Sequence, residues 1–336
     1  MKSRTRRLPA ALATAVLAPF ALAGCGSDGA GSGDGVEVVA SIYPLEFLVE
    51  RIGGDDVDLT TLANPGQEPH DLELTVSQTA ALADADLVVY VGDLQPAVDE
   101  SVETNAGGAV VEALAALEER EPAIRGARPV TVLDAGDEHG DEHGDEGEHS
   151  DGGENSGDGH DHGAHDPHFW LDPRALATVG AEVADQLGAL DPDNAAGYQE
   201  RYAALMGDLV GLDGRASVAL ETCERRTVVV SHDAFGYLGY RYDLDFEPIA
   251  GLSPDAEPSP ARLAELADVI EETGVTTVFT ETLASPALAD TLASELDLAT
   301  DVLDPLEGLT EDSGDADYLS VMDANIEALR KAGDCT

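Results

Sequence analysis

Basic side chains are scarce in this chain of 336 residues. It has 17 Lys and Arg against 68 Asp and Glu, for a net charge of −51, and its lysines are only Lys2 and Lys331. Phosphate groups would be repelled by such a surface, so nucleic acid is excluded as a partner. After the N-terminal segment the acidic residues extend along the rest of the chain, which fits a salt-adapted host as well as a solvated surface with no specific role.

Cysteine is also rare, and the first of the three, Cys25, ends an N-terminal segment with a basic head and a short apolar run over residues 8–23. That run is shorter than the roughly 20 apolar residues of a membrane span. The residues Leu22-Ala23-Gly24-Cys25 resemble a bacterial lipobox. We therefore expect a signal peptide over residues 1–24, lipidation of Cys25, and a flexible tether over residues 25–35 that holds the protein at the outer face of the cell membrane. The alternative is an ordinary signal peptide followed by an unmodified cysteine.

The two remaining cysteines are Cys223 and Cys335. An even number of cysteines in an exported protein favours a disulfide. Because Cys335 is the penultimate residue, a bridge would also fix an otherwise frayed C-terminus. The alternative is two buried thiols.

Strand-like and helix-like segments alternate after the tether. β-Branched and apolar runs predict strands over residues 36–40, 57–62, 87–91, 130–133, 227–230, 244–247, 275–280 and 299–303. Helical patterns lie between most of these runs. Such alternation is typical of parallel sheets that are covered by helices on both faces.

A long helical segment separates two alternating sets. It starts at Asp191-Pro192, with Asp as the cap and Pro in the first turn, and its pattern extends for roughly 40 Å. We therefore expect an α/β protein with an N-terminal lobe over residues 36–190, a linker helix over residues 191–222 and a C-terminal lobe over residues 223–336.

The nine histidines fall into two groups. Six lie in a stretch of Gly, Asp and Glu over residues 134–166, and they are His139, His143, His149, His160, His162 and His165. A stretch with so few apolar residues cannot form a core, so we expect a disordered surface loop. Its composition predicts weak sites that collect metal. The alternative is a solvated insertion with incidental affinity.

The other three histidines, His70, His168 and His232, lie at predicted turns that lead into helices. Ligands of parallel sheets bind at the carboxyl ends of strands, and neutral imidazole is a common metal ligand. One such histidine alone is more often a structural residue. Because all three share the same context, they together predict a single metal site.

Three segments carry a family resemblance: Glu68-Pro69-His70-Asp71-Leu72-Glu73, the run from Asp166 to Pro173, and the run from Ser231 to Tyr237. Together with the lipobox, the histidine-rich insertion and the long helix, they resemble the solute-binding lipoproteins of zinc-type ABC importers, the cluster A-I or ZnuA-like family. The resemblance covers the chain from about Val36 onward. It implies the metal-type periplasmic-binding-protein fold, in which His70, His168 and His232 bind the metal between two lobes. It also implies a monomer that delivers the ion to an ABC permease and its ATPase subunit.

The same resemblance bears on the metal. Manganese-type relatives have a carboxylate at the position of His232, and an aspartate a few residues after the segment matching Phe279-Thr280-Glu281, where this chain has Ser285. Three imidazoles suit Zn²⁺ better than Mn²⁺, which prefers oxygen ligands. We expect water as the fourth ligand, with Glu68 and Glu281 as the other options.

Other functions remain open at this point. The site could serve another divalent metal, such as manganese, or a metal-dependent adhesin. Three histidines with water also form the metal site of a zinc hydrolase. However, the chain has no His-Glu-x-x-His helix, and a lipid tether suits a protein that delivers metal at a membrane. We therefore expect a binding protein and no enzyme.

Overall fold

The computed structural model describes residues 35–122 and 166–336. The predicted signal peptide, the predicted lipidation site Cys25 and the six histidines of the acidic stretch lie outside these residues, as does the predicted strand over residues 130–133. Within the described ranges, no helix combines the length and the apolar character that crossing a bilayer would require. Residues Gly35–Thr336 belong to one compact unit.

The first half of the chain forms a parallel sheet of four strands in the order β2-β1-β3-β4. The strands are β1 (Val36–Ala40), β2 (Val57–Thr61), β3 (Leu87–Tyr90) and β4 (Ala109–Glu112), and the helices are α1 (Tyr43–Gly53), α2 (Val76–Asp84), α3 (Pro96–Asn105) and α4 (Ala113–Arg120). The central strands β1 and β3 are almost entirely buried, and this is why they are nearly continuous apolar runs in the sequence.

Strand β4 was not predicted from the sequence. It is a short edge strand that pairs with β3, and it follows Gly107-Gly108. A side chain at Gly108 would collide with the carbonyl oxygens of Ala85 and Asp86, so glycine allows the chain to enter the sheet edge this closely.

The second half repeats the same topology. Its parallel sheet has the order β6-β5-β7-β8. The strands are β5 (Thr227–Val230), β6 (Asp245–Pro248), β7 (Thr277–Thr280) and β8 (Ala299–Val302), and the helices are α7 (Gly236–Tyr242), α8 (Pro260–Thr273), α9 (Ala287–Glu295) and α10 (Tyr318–Ala332). In the first sheet β2 lies on one side of β1 and β3 on the other, and in the second sheet β6 and β7 flank β5 in the same way. Ligand-binding crevices form where the strand order changes direction like this.

Two further helices lie along the chain between the strands of the first sheet and those of the second. They are α5 (Pro173–Leu190) and the long α6 (Ala195–Leu220). Helix α6 has 26 residues, as the sequence pattern predicted, and it packs against α1, α5 and α10. Its glycines Gly207 and Gly214 lie on the exposed side, where a side chain would meet nothing within 4 Å. They lower the helix propensity without breaking the helix.

A buried carboxylate fastens α6 to its neighbours. Asp213 is 3% exposed, and it accepts hydrogen bonds from Arg174 of α5 and from Arg241 of α7. Burial raises the pKa of Asp213, but the two guanidinium groups more than offset this effect, so the pKa lies below its ordinary value. The ionised carboxylate therefore joins both lobes to the long helix.

The predicted disulfide between Cys223 and Cys335 is present. Cys335 follows α10 and Cys223 follows α6, so the bridge closes the C-terminus onto the end of the long helix.

Candidate metal centre

The three isolated histidines converge on one carboxylate oxygen. The Nε2 atoms of His70, His168 and His232 lie 3.2, 3.1 and 3.2 Å from Oε1 of Glu307. The potential ligand atoms of these four residues all lie within 4.8 Å of one another. His168, His232 and Glu307 are fully or almost fully buried, whereas the side chain of His70 is 10% exposed and marks the solvent side of the centre.

Each histidine lies in a different loop beside a helix or a strand. His70 lies in the loop that joins β2 to α2, and His232 follows β5, the strand beside which the order of the second sheet reverses. His168 precedes a single 3₁₀ turn, Phe169–Leu171, which leads into α5. The loops at the carboxyl ends of both sheets therefore supply ligands, as expected for parallel sheets.

The distances from Glu307 to the three histidines are close to the edge length of a zinc coordination tetrahedron. Bond lengths of about 2.0–2.1 Å in a tetrahedral zinc site place neighbouring ligand atoms about 3.3 Å apart. The distances of 3.1–3.2 Å between Glu307 Oε1 and the three Nε2 atoms are close to this edge length. Three imidazoles and one carboxylate are also a donor set that suits zinc.

Two carboxylates orient the buried imidazoles through hydrogen bonds to their Nδ1 atoms. Nδ1 of His168 donates to Asp166 Oδ1 at 2.8 Å, and Nδ1 of His232 donates to Glu281 Oε2 at 2.7 Å. The same carboxyl groups accept the backbone N–H groups of these histidines. Because an ionised carboxylate only accepts hydrogen bonds, it fixes the hydrogen on Nδ1 and leaves the lone pair of Nε2 for a metal.

The charges of the centre are strongly coupled. Burial opposes the charged imidazoles, but the carboxylates Asp166, Glu281 and Glu307 outweigh it, so the pKa of His168 is raised and that of His232 is raised well above its usual range. Burial also favours the neutral form of Glu307, yet the histidines hold the pKa of Glu307 well below its usual range. In the absence of metal, the carboxylates thus favour the protonated form of these two imidazoles.

The fourth member of the group was not expected from the sequence, which indicated water as the fourth ligand, with Glu68 and Glu281 as the other options. In the structure the residue grouped with the three histidines is Glu307. Glu281 contacts the outer nitrogen of His232, and Glu68 is not part of the four-residue group. Burial, and to a lesser extent Glu307, raises the pKa of Glu68 despite the proximity of His70, so Glu68 belongs to the electrostatic surroundings of the centre.

The sequence contains one signal for Glu307. Glu307 lies in a loop shortly after β8, and in a parallel sheet this is the edge at which ligands bind. It follows Asp304-Pro305, a pair that favours a turn.

The aromatic residues near the histidines act mainly in packing. Phe169, Trp170 and Phe235 are completely buried. The indole of Trp170 also donates a hydrogen bond to the carbonyl of Pro305, two residues before Glu307.

Comparisons with known proteins agree with this architecture. The family model described as "Zinc-uptake complex component A periplasmic" (ZnuA) matches residues 38–332. The zinc-binding lipoprotein AdcA of Streptococcus pneumoniae is 34% identical over 302 residues, which cover 89% of this chain and 56% of AdcA. The high-affinity zinc uptake system protein ZnuA of Bacillus subtilis is 33% identical, with 89% of this chain and 88% of ZnuA covered.

The chain therefore spans little more than half the length of AdcA. A solved structure, the Zn(II)-bound ZnuA-like domain of S. pneumoniae AdcA, superposes with a TM-score of 0.67 at 30% identity, and the match covers 89% of this chain and 99% of that domain.

Proposed function

Because the chain belongs to the ZnuA family of zinc-uptake components, we propose that it is the extracytoplasmic zinc-binding protein of an ABC importer. In this proposal His70, His168, His232 and Glu307 hold one Zn²⁺ ion between the two lobes, and the loaded protein delivers the ion to a membrane permease. The relatives AdcA and ZnuA are named for zinc binding and zinc uptake, which supports zinc as the cargo.

One observation carries the proposal: three imidazole Nε2 atoms lie 3.1–3.2 Å from one carboxylate oxygen in a buried site, and all four atoms lie within 4.8 Å of one another. The pKa of the buried Glu307 carboxyl lies well below its usual range, so the group is ionised, and a divalent cation would compensate its charge directly. The backing carboxylates Asp166 and Glu281 add negative charge behind the ligands and increase their basicity.

Titration of the metal-free protein with Zn²⁺, in competition with a chromogenic chelator, tests the site. We expect one tight site per molecule and its loss in His168→Ala and His232→Ala. His160→Ala is a matched control, because it removes an imidazole of the acidic stretch and leaves the central group intact. Tight binding that survives in both central variants would reject the assignment.

A binding role fits the centre better than catalysis. A catalytic zinc site keeps one coordination position open for water or substrate. Here Glu307 stands within hydrogen-bonding distance of all three histidines, at the place where such a water would bind. Measurement of ester hydrolysis by the zinc-loaded protein tests this point, and turnover that depends on zinc would contradict it.

The location and the partners complete the proposal. Lipidation at Cys25 and the tether over residues 25–35 would hold a monomer at the outer face of the membrane, beside the permease and its ATPase subunit. The lobes over residues 36–190 and 223–336, joined by the linker over residues 191–222, would tilt only slightly during release, because α6 is one continuous helix. Labelling with radioactive palmitate, compared with Cys25→Ala, tests the anchor.

The histidines of the acidic stretch would collect further ions. We propose that His139, His143, His149, His160, His162 and His165 bind Zn²⁺ weakly and pass it to the central site. Deletion of residues 137–165 should remove weak binding and retain one tight site, and calorimetry that shows the tight site lost as well would refute this division.

A further inference from the structure

Glu307 is held by an irregular turn, so its position depends on tertiary contacts. The turn Asp304–Glu307 follows β8 and belongs to neither a helix nor a strand. Even so, the Glu307 side chain is only 2% exposed, and its Oε1 lies 3.1–3.2 Å from three separate imidazoles. Such a placement requires that other groups fix the backbone of the turn.

Asn325 provides the main fixation. This residue of α10 is 3% exposed, and its side chain pairs with both backbone groups of Asp304. The N–H of Asp304 donates to Asn325 Oδ1 at 2.9 Å, and Asn325 Nδ2 donates to the carbonyl of Asp304 at 2.7 Å. The Asn325 carboxamide thus satisfies both backbone groups of Asp304. Within a sheet, a neighbouring strand would provide these two hydrogen bonds.

The carboxylate of Asp304 holds the rest of the turn. Its Oδ1 accepts the N–H of Leu306 at 2.8 Å, and its Oδ2 accepts the hydroxyl of Thr282. Thr282 directly follows Glu281, which orients His232. The turn that carries Glu307 is therefore linked to the segment that supports a histidine ligand.

Leu306 adopts a backbone conformation that needs this support. Its φ of 60° lies in the left-handed region, although the side chain is fully buried and belongs to the core. A non-glycine residue in that region is strained, and such strain persists only where the surroundings impose it. The hydrogen bonds at Asp304 and the indole of Trp170, which donates to Pro305 at 2.7 Å, impose it here.

From these contacts we propose that Asn325 and Asp304 are positioning residues, which fix the turn Asp304–Glu307 so that the Glu307 carboxylate stands among the three imidazoles before the metal arrives. The inference rests on the proposed zinc function. Neither residue touches the ion. They act through Glu307, and their loss leaves three histidines with a carboxylate that is free to move away.

The decisive experiment is a double-mutant cycle on zinc affinity. Asn325→Ala alone should weaken Zn²⁺ binding about 10- to 100-fold, the usual effect of removing an outer group that orients a ligand. In the Glu307→Ala background the same substitution should change affinity less than about twofold, because the ligand that it positions is already missing.

A spectroscopic measurement adds an independent readout. The visible absorption of the Co²⁺-loaded protein reports the ligand set and the geometry around the ion. Asn325→Ala should shift this spectrum towards that of Glu307→Ala. Thr282→Val, an isosteric change at an exposed position, removes one donor to Asp304 and should shift it in the same direction to a smaller extent, so the test does not depend on one variant.

Met322→Ala is the matched control, since Met322 is buried on the same helix but makes none of the hydrogen bonds to the turn. It should lower the melting temperature and leave zinc affinity and the Co²⁺ spectrum unchanged. Equal losses from Asn325→Ala in the presence and absence of Glu307 would overturn the inference, and so would a comparable loss in Met322→Ala. Wild-type protein that binds no zinc would instead reject the proposed function, and the inference with it.

Discussion

Acidification should affect the metal-free and the zinc-bound protein in opposite directions. The pKa values of His168 and His232 are raised in the folded protein. Their contribution to the stability of the metal-free protein is therefore fully present below about pH 6.5, the unfolded value, and is lost as the pH rises through the folded values. The pKa of Glu307 is lowered, so its contribution is present above about pH 4.5 and is lost as the pH falls through its folded value.

Zinc affinity should change with pH in the opposite direction to the histidine contribution to the stability of the metal-free protein. Both buried imidazoles have their Nδ1 atoms committed to Asp166 and Glu281, so the proton that zinc must displace is on Nε2. Each proton released changes the dissociation constant about tenfold per pH unit, and the constant should therefore rise about 100-fold per unit where both imidazoles are protonated. Because the pKa values are raised, this loss should begin above pH 6.5.

Calorimetry in buffers of different ionisation enthalpy counts the released protons, and thermal unfolding with and without Zn²⁺ gives the stability at each pH. The stabilisation by zinc should shrink from pH 8 to pH 5.5, while the metal-free protein becomes more stable. Asp166→Asn should lower the number of protons released near neutral pH, because one of the carboxylates that support the charged form of His168 is gone. An unchanged dissociation constant over this range, or no proton release at pH 6, would refute the reasoning.

Three further outcomes are expected. Glu281→Ala should weaken zinc binding about 10- to 100-fold in chelator competition, because His232 loses the carboxylate that fixes its orientation, whereas Glu295→Ala at the end of α9 should have no effect. Cys335→Ser should lower the free energy of unfolding in urea by about 2–5 kcal/mol, because the bridge closes a loop with a sequence separation of 112, and an unchanged urea midpoint would contradict this. Raising NaCl from 0.1 to 1 M should raise the melting temperature. The Debye length falls from about 10 to about 3 Å, so the salt screens the repulsion within a chain of net charge −51. A lower melting temperature at 1 M NaCl would argue against charge repulsion.

Much of the fold could be predicted because its signals are local. Buried parallel strands are continuous β-branched runs, and the helix from Ala195 to Leu220 has an apolar face that its exposed glycines do not interrupt. Strand β4 escaped prediction because it is a short edge strand, whose position depends on the close approach of Gly108 to the neighbouring chain.

Some residues of the candidate metal centre could be predicted from the sequence, and one could not. Each histidine lies in a distinctive segment of its own, so His70, His168 and His232 could be named from the sequence and a family resemblance. Glu307 could not, because it lies 75 residues after His232 and its direction depends on Asp304 and Asn325, which are 21 residues apart. In a chain with 68 Asp and Glu, composition alone does not distinguish Glu307 from the other acidic residues.

The sequence by itself determined the alternating α/β architecture, the pair of cysteines and the three imidazoles, because each depends on residue types within a short window. Only the tertiary structure decided which carboxylate lies among the three histidines and which groups orient their rings. Those choices depend on distances between segments that are remote along the chain, and these distances are set when helices from both halves pack against the long helix.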